Sequence, residues 1–219
     1  KLPLASQPKD IAINYDGSII YLLVGSEVYK SIDYGESWLF LIKTQTSTQA
    51  IATDSTGIEV RVSAYWSLLS SSDSGNTWIK SINNVDNEYD GFTDITTNGK
   101  FSYTCTSFEY QDGTNPPNEI FLSDDQGISY SPLYQTNTVW DNIGMSSNGE
   151  IVLSSTLDSN YQYATYYLSN DNGKTWSETI TTLVNPNAFD TPYNALAVDS
   201  DGYSALIGSY TSLYLGKCT

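Results

Sequence analysis

Three aspartates stand in equivalent short apolar runs. Asp10 and Asp94 each precede an isoleucine, in Asp10-Ile11-Ala12 and Asp94-Ile95-Thr96, while Asn142 holds that place before Ile143 with Asp141 one residue earlier. A pair of such carboxylates can divide glycoside hydrolysis between an acid and a base or nucleophile. A ring of carboxylate and amide oxygens can also hold a cation such as calcium. The simpler reading of the same residues is a set of solvated strand-end caps.

Other chemistries lack their residues. The chain has no histidine, one arginine (Arg61) and two cysteines (Cys105 and Cys218). A serine or cysteine nucleophile needs a neighbouring base, usually histidine. Zinc sites need histidine or several cysteines. A net charge of −16 sets the chain against nucleic acid. No stretch is long and apolar enough for membrane insertion. Carboxylate-only catalysis is what remains for an enzyme.

Binding chemistry is better supplied. There are 18 tyrosines and 5 tryptophans against only 16% charged residues. Many of these rings fall in the irregular segments 83–92, 108–118, 133–141, 157–164 and 183–193. Trp66, Tyr110, Trp140, Tyr161, Tyr163, Phe189 and Tyr193 are the candidate ligand-binding residues. Rings beside Asn, Asp and Gln suit sugars, whose C–H faces stack while their hydroxyls find amides and carboxylates. Variable loops on a rigid frame are where binding commonly sits. The alternative is that each ring packs onto its own sheet.

The frame follows from a repeat. Ser31-Ile32-Asp33-Tyr34-Gly35-Glu36-Ser37-Trp38 recurs as Ser71-Ser72-Asp73-Ser74-Gly75-Asn76-Thr77-Trp78 and Ser169-Asn170-Asp171-Asn172-Gly173-Lys174-Thr175-Trp176, with a weaker copy at Ser123-Asp124-Asp125-Gln126-Gly127-Ile128-Ser129-Tyr130. Each reads as a tight turn between antiparallel strands. The aspartate accepts hydrogen bonds from the turn's own amides, and the glycine takes a positive φ. The closing aromatic anchors the next strand. A second marker, a turn glycine after a short apolar strand, falls at Gly17, Gly57, Gly99, Gly149 and Gly202, at spacings of 40, 42, 50 and 53 residues. Such spacings lie within the range of propeller blades.

The repeated octad resembles the Asp-box, or BNR, repeat of β-propellers found in sialidases, sortilin-type receptors, xyloglucanases and photosystem assembly factors. The resemblance implies an all-β fold: a single five-bladed propeller over 1–219, with four-stranded antiparallel blades at about 9–43, 49–82, 92–133, 141–181 and 194–217. Residues 1–6, with Leu2 and Leu4 on one face, are expected to supply the last blade's missing strand. The aspartates of 10, 94 and 141 then gather at the mouth of the central channel. Cys105 and Cys218 fall in blades that are not neighbours, so both are expected as thiols. Ile11, Ile51, Ile95, Ile143 and Leu196 share one register, each followed by a small residue that suits the crowded centre.

The resemblance also implies a sialidase, but sialidases of this group clamp a carboxylate with three arginines and have six blades. One arginine cannot do this, and lysine lacks the fork. The expected function is therefore a non-enzymatic binding module for a glycan or another protein's surface. A structural or assembly component of a virion or cell surface, a homo-oligomer or assembly subunit, is the alternative. A carboxylate-dependent glycoside hydrolase is the second alternative. Absent Asn-x-Ser/Thr sequons, low charge and abundant Ser, Thr and Tyr fit the structural role, and the expected location is extracellular or at a virion or cell surface.

Overall fold

A computed structural model describes residues 7–64, 67–83, 92–106, 118–136, 139–158, 162–183, 195–208 and 213–217. Among these residues every regular element is a strand, and the strands form five sheets. The first is β1 (Pro8–Ile13), β2 (Ile20–Val24), β3 (Glu27–Ser31) and β4 (Leu39–Lys43), paired in sequence order. The second is β5 (Thr48–Thr53), β6 (Val60–Ala64), β7 (Ser67–Ser71) and β8 (Ile79–Lys80). After them comes β9 (Ile82–Asn83), which joins the edge of the third sheet: β10 (Phe92–Thr97), β11 (Ser102–Thr106), β12 (Asn118–Ser123) and β13 (Ser129–Thr136). The fourth is β14 (Val139–Met145), β15 (Val152–Leu157), β16 (Tyr163–Ser169) and β17 (Ser177–Leu183). The fifth holds β18 (Ala195–Val198), β19 (Ser204–Gly208) and β20 (Leu213–Lys217).

The uniform four-strand expectation is corrected where the second sheet adjoins the third. The outer strand expected over 78–82 breaks at Ser81, and β9 pairs in parallel with β13 (Ser129↔Ile82, Tyr130↔Asn83). The break has a cause in hydrogen bonding. The Ser81 amide donates to the Leu68 carbonyl at 2.9 Å, while its buried hydroxyl donates to Gly127 O. The fifth sheet has three described strands, and residues 1–6 lie outside the described residues. The segment 133–141, expected as irregular loop, is largely strand in β13 and β14.

The chain divides into two compact units, Lys1–Thr104 with Leu122–Ser131, and Cys105–Phe121 with Pro132–Thr219. In the first unit, Ala12, Tyr21, Leu23, Val28, Ile51, Val60 and Val62 form a buried core, with Trp78 packed against it. Tyr21 spans the first two sheets by donating its hydroxyl to Gly57 O at 2.6 Å. In the second unit the core is Leu153, Leu157, Ala164, Tyr166, Ala205 and Ile207. Small residues after the register isoleucine matter where sheets approach: a Cβ on Gly144 would press into Leu196. Of the residues sharing that register, Ile51, Ile95 and Ile143 are buried, whereas Ile11 is 51% exposed.

Arg61 lies wholly inside the first unit. Its Nη1 donates to the Val60 and Ser71 carbonyls, both at 3.0 Å, and Nη2 meets Glu59 Oε2 at 2.8 Å. Gly127 sits over it at φ 78°, with no room for a Cβ beside Arg61 and Ser70. Gly127→Ala is therefore expected to cost about 3 kcal/mol, from left-handed strain plus overpacking. Gly216→Ala in β20, where a Cβ meets nothing within 4 Å, is expected to stay within about 0.5 kcal/mol. Urea unfolding of the two variants checks the contrast, and equal losses would refute it.

Candidate functional site

In a meander of antiparallel strands, the first and third connections lie at one end of the sheet and the second at the other. The repeated Asp-Gly octads and the Gly17-type turns share the first end. There, the Ser74 amide donates to Ile58 O at 2.9 Å and its hydroxyl to Gly57 O at 3.2 Å. The second end carries Gly25-Ser26, Thr44–Thr46 and the start of β16 at Tyr163.

The four octads are built alike. Asp33, Asp73, Asp125 and Asp171 each accept from the main-chain amide four residues on (Ser37, Thr77, Ser129, Thr175) at 2.8–2.9 Å through Oδ1. Through Oδ2 each accepts the same residue's hydroxyl at 2.5–2.6 Å. Ser31, Ser71, Ser123 and Ser169 donate to that carboxylate and receive the amide of Gly35, Gly75, Gly127 or Gly173 at 2.8–2.9 Å. Trp38, Trp78 and Trp176 close the turn by donating the indole N–H to the glycine carbonyl at 3.0, 2.9 and 2.8 Å. Tyr130 has no such N–H. Its buried hydroxyl donates to Ser102 Oγ at 2.7 Å, and Ser70 and Ser81 hydroxyls serve Gly127 O instead.

These bonds set the electrostatics of this end. Asp33, Asp73 and Asp171 are lowered from 3.8 to about 2, foremost by the hydroxyls of Ser37, Thr77 and Thr175. Asp125 resists burial, which works against its charge, because Ser129 and Ser123 hydrogen-bond it, and its pKa also falls.

The three channel-mouth candidates are also engaged with the backbone or a neighbour. Asp10 accepts from Ile11 N at 2.8 Å and from Ile51 N on the next sheet at 2.7 Å. Burial raises its pKa against the pull of those two amides. Asp94 accepts from Ile95 N at 2.8 Å, and Asp141 from the Asn142 amide nitrogen at 2.6 Å. Asp10 thus ties two sheets together, an arrangement better suited to a staple than to a proton shuttle. Among the described residues no group of three or more His, Cys, Asp or Glu is placed to hold a metal ion.

Of the candidate aromatics, Trp140 is not a surface ring. It is fully buried in β14, edge-on to Tyr167 at 5.4 Å and Tyr134 at 6.0 Å, and tilted to Trp176 at 6.2 Å. It is the second residue of β14, where the pairing with β15 shifts register between Trp140 and Asn142, so its place beside a loop in sequence misled. Tyr163 is 47% exposed at the start of β16, its amide held by Asp158 at 2.7 Å. Trp66, Tyr110, Tyr161, Phe189 and Tyr193 lie outside the described residues, as does Cys218; Cys105 is buried in β11.

Among the described residues, cavities adjoin the sheets in both units. One of about 440 Å³ is lined by Ile42, Lys43, Thr44, Gln45, Thr46, Ser67, Leu69 and Lys80 in the first unit. The other, about 260 Å³, is apolar, with Leu153, Leu168, Ile180, Ala205, Ile207 and Leu215 of the second unit among its lining.

Sequence reasoning missed two sets of residues. Tyr34, Ser74, Gln126 and Asn172 all have φ near 60°, so each octad carries two successive left-handed residues, not one. The type I′ hairpin turn has that signature. At the other turns Asn14, Asp54, Ser146 and Asp199 cap the hairpin by accepting the amides of Ile19, Glu59, Ile151 and Ser204 at 2.9–3.0 Å. A polar residue three before each of Gly17, Gly57, Gly149 and Gly202 was the available signal.

No protein-family model matches the chain, and no curated protein matches it. Among solved structures it is similar to the GH74 enzyme of Niastella koreensis, with TM-score 0.68 and 19% identity, covering 91% of this chain and 33% of that one. It is similar to a nidogen/laminin complex, with TM-score 0.62 and 15% identity, covering 98% and 77%. YCF48 bound to a D1 peptide gives TM-score 0.54 and 12% identity, covering 100% and 95%. The chain spans about a third of the length of the GH74 enzyme. The GH74 enzyme and YCF48 are β-propeller proteins, and identities this low carry the fold alone: an all-β fold of propeller type.

The lowered carboxyls give a signed pH dependence. Groups whose folded pKa is depressed add stability above about 3.8, and lose it as pH falls toward 2. Urea midpoints are expected to drop across that window. Asp73→Asn, which cannot titrate, is expected to flatten part of the slope; an unchanged slope would count against the carboxylate's role.

Proposed function

We propose that this chain is a non-enzymatic binding module that engages a glycan or another protein's surface through the end of its sheets opposite the Asp-Gly turns. One observation carries the reading: the groups able to do chemistry are consumed internally. Arg61 is buried on two carbonyls and Glu59, the turn aspartates are held by amides and hydroxyls, and Asp10 bridges two sheets. The opposite end keeps exposed Tyr163 and the 440 Å³ cavity. The similar structures support binding in general terms, since one is a nidogen/laminin complex and another holds a D1 peptide.

The proposed frame is a single ring of five blades with residues 1–6 as the fourth strand beside β20. Supporting it are the exposed Leu213 (70%) and Leu215 (78%) on that strand and the apolar cavity next to it. Unpaired edges of this kind are normally covered. Deleting residues 1–6 is expected to lower Tm by on the order of 5 °C or more, the effect of losing one paired strand from a sheet edge. A truncated chain melting like the full one would remove this closure.

Binding is tested on a glycan array and by protein capture with the full chain. Tyr163→Ala, Tyr161→Ala or Trp66→Ala is expected to weaken the ligand found by about fivefold or more. Tyr34→Ala, on the turn end and 69% exposed, is expected to leave it unchanged. The reverse pattern would overturn the assignment of the binding end. Release of reducing sugar that is abolished by Asp94→Asn would instead establish a glycosidase.

A further inference from the structure

We propose that the 440 Å³ cavity between β4 and β7 is a subsite for an acidic saccharide, a sugar unit carrying a carboxylate or a sulfate ester. The inference rests on the binding reading above and names a ligand class for it. The chain holds 25 acidic residues against nine basic ones, yet two of its lysines, Lys43 and Lys80, line this one cavity. Lys80 has no ion-pair partner among the described residues, and the Gln45 amide and Ser67 hydroxyl beside it make no hydrogen bond there. Ile42 and Leu69, half-buried against the core, give the cavity an apolar wall.

These groups divide the work that an anionic sugar requires. The apolar wall accepts a C–H face, the amide and hydroxyl accept and donate to ring hydroxyls, and the ammonium groups take the charge. The volume lies within the range of about 300–1,000 Å³ usual for small-ligand sites. Lys43 is shared with Glu27, whose Oε1 lies at 3.5 Å. Glu27 also receives the Tyr29 hydroxyl at 2.7 Å, so it keeps a partner when Lys43 turns to a ligand. Glu27 is then an internal competitor for the same cation.

Calorimetry on the full chain with trigalacturonate, a sulfated disaccharide and cellotriose tests this. One or both anionic probes are expected to bind at least tenfold more tightly than cellotriose, and the tighter of the two identifies the acid group. Lys80→Met is expected to weaken the anion about tenfold, the value of one charged hydrogen bond, without affecting cellotriose. Glu27→Gln is expected to strengthen it. Equal binding of cellotriose, no anion binding, or an indifferent Lys80→Met overturns the inference. If the anions fail while Tyr163→Ala still abolishes binding of another glycan, only this subsite falls and the binding module stands.

Discussion

The structure depends on a carboxylate that substitutes for missing strand pairing at a reversal of the chain. Two successive left-handed residues cost on the order of 1 kcal/mol where the first carries a Cβ. Tyr34, Ser74, Gln126 and Asn172 bear that strain in every octad. The neighbouring aspartate offsets it by gathering an amide, a hydroxyl and a serine donor onto one side chain. Charge-assisted bonds of this sort are stronger than neutral ones. The result is a turn whose shape no longer depends on which residue occupies the strained position.

The same logic explains the third octad, where the pattern is weakest. Replacing tryptophan by Tyr130 removes the indole donor from the glycine carbonyl. Ser70 and Ser81, from β7 and from the break before β9, supply the lost donors, and Arg61 packs beneath. A substitution within one turn is thereby connected to the early end of β8, two residues long, and to the extra strand on the third sheet. The hydrogen bonds to Gly127 O and the altered strand pairing thus meet at Ser81.

Much of this frame was legible because it is local. The octad aspartates, glycines and tryptophans hydrogen-bond within five residues of themselves, so spacing alone exposes them. Strand order followed from consecutive meanders. What stayed hidden depends on partners distant in sequence. Asp10 to Ile51 crosses 41 residues, and Ser70 to Gly127 crosses 57. Trp140 shows the same limit from the other side. Its neighbours Tyr134 and Tyr167 come from two strands and Trp176 from the turn before β17, and no periodicity in 133–141 announces their convergence.

Saturation of hydrogen bonding also separates the two ends of each sheet. A turn whose carboxylate, hydroxyls and amides already satisfy one another has little capacity left for a ligand, and using it would break bonds that hold the strained backbone. Lys80, Gln45 and Ser67, whose side chains have no such partners among the described residues, can meet a ligand without that loss. Exposure alone does not distinguish the ends, since Tyr34 is 69% exposed and Tyr163 only 47%. Unspent donors and acceptors do, and by that measure the free chemistry lies away from the repeated turns.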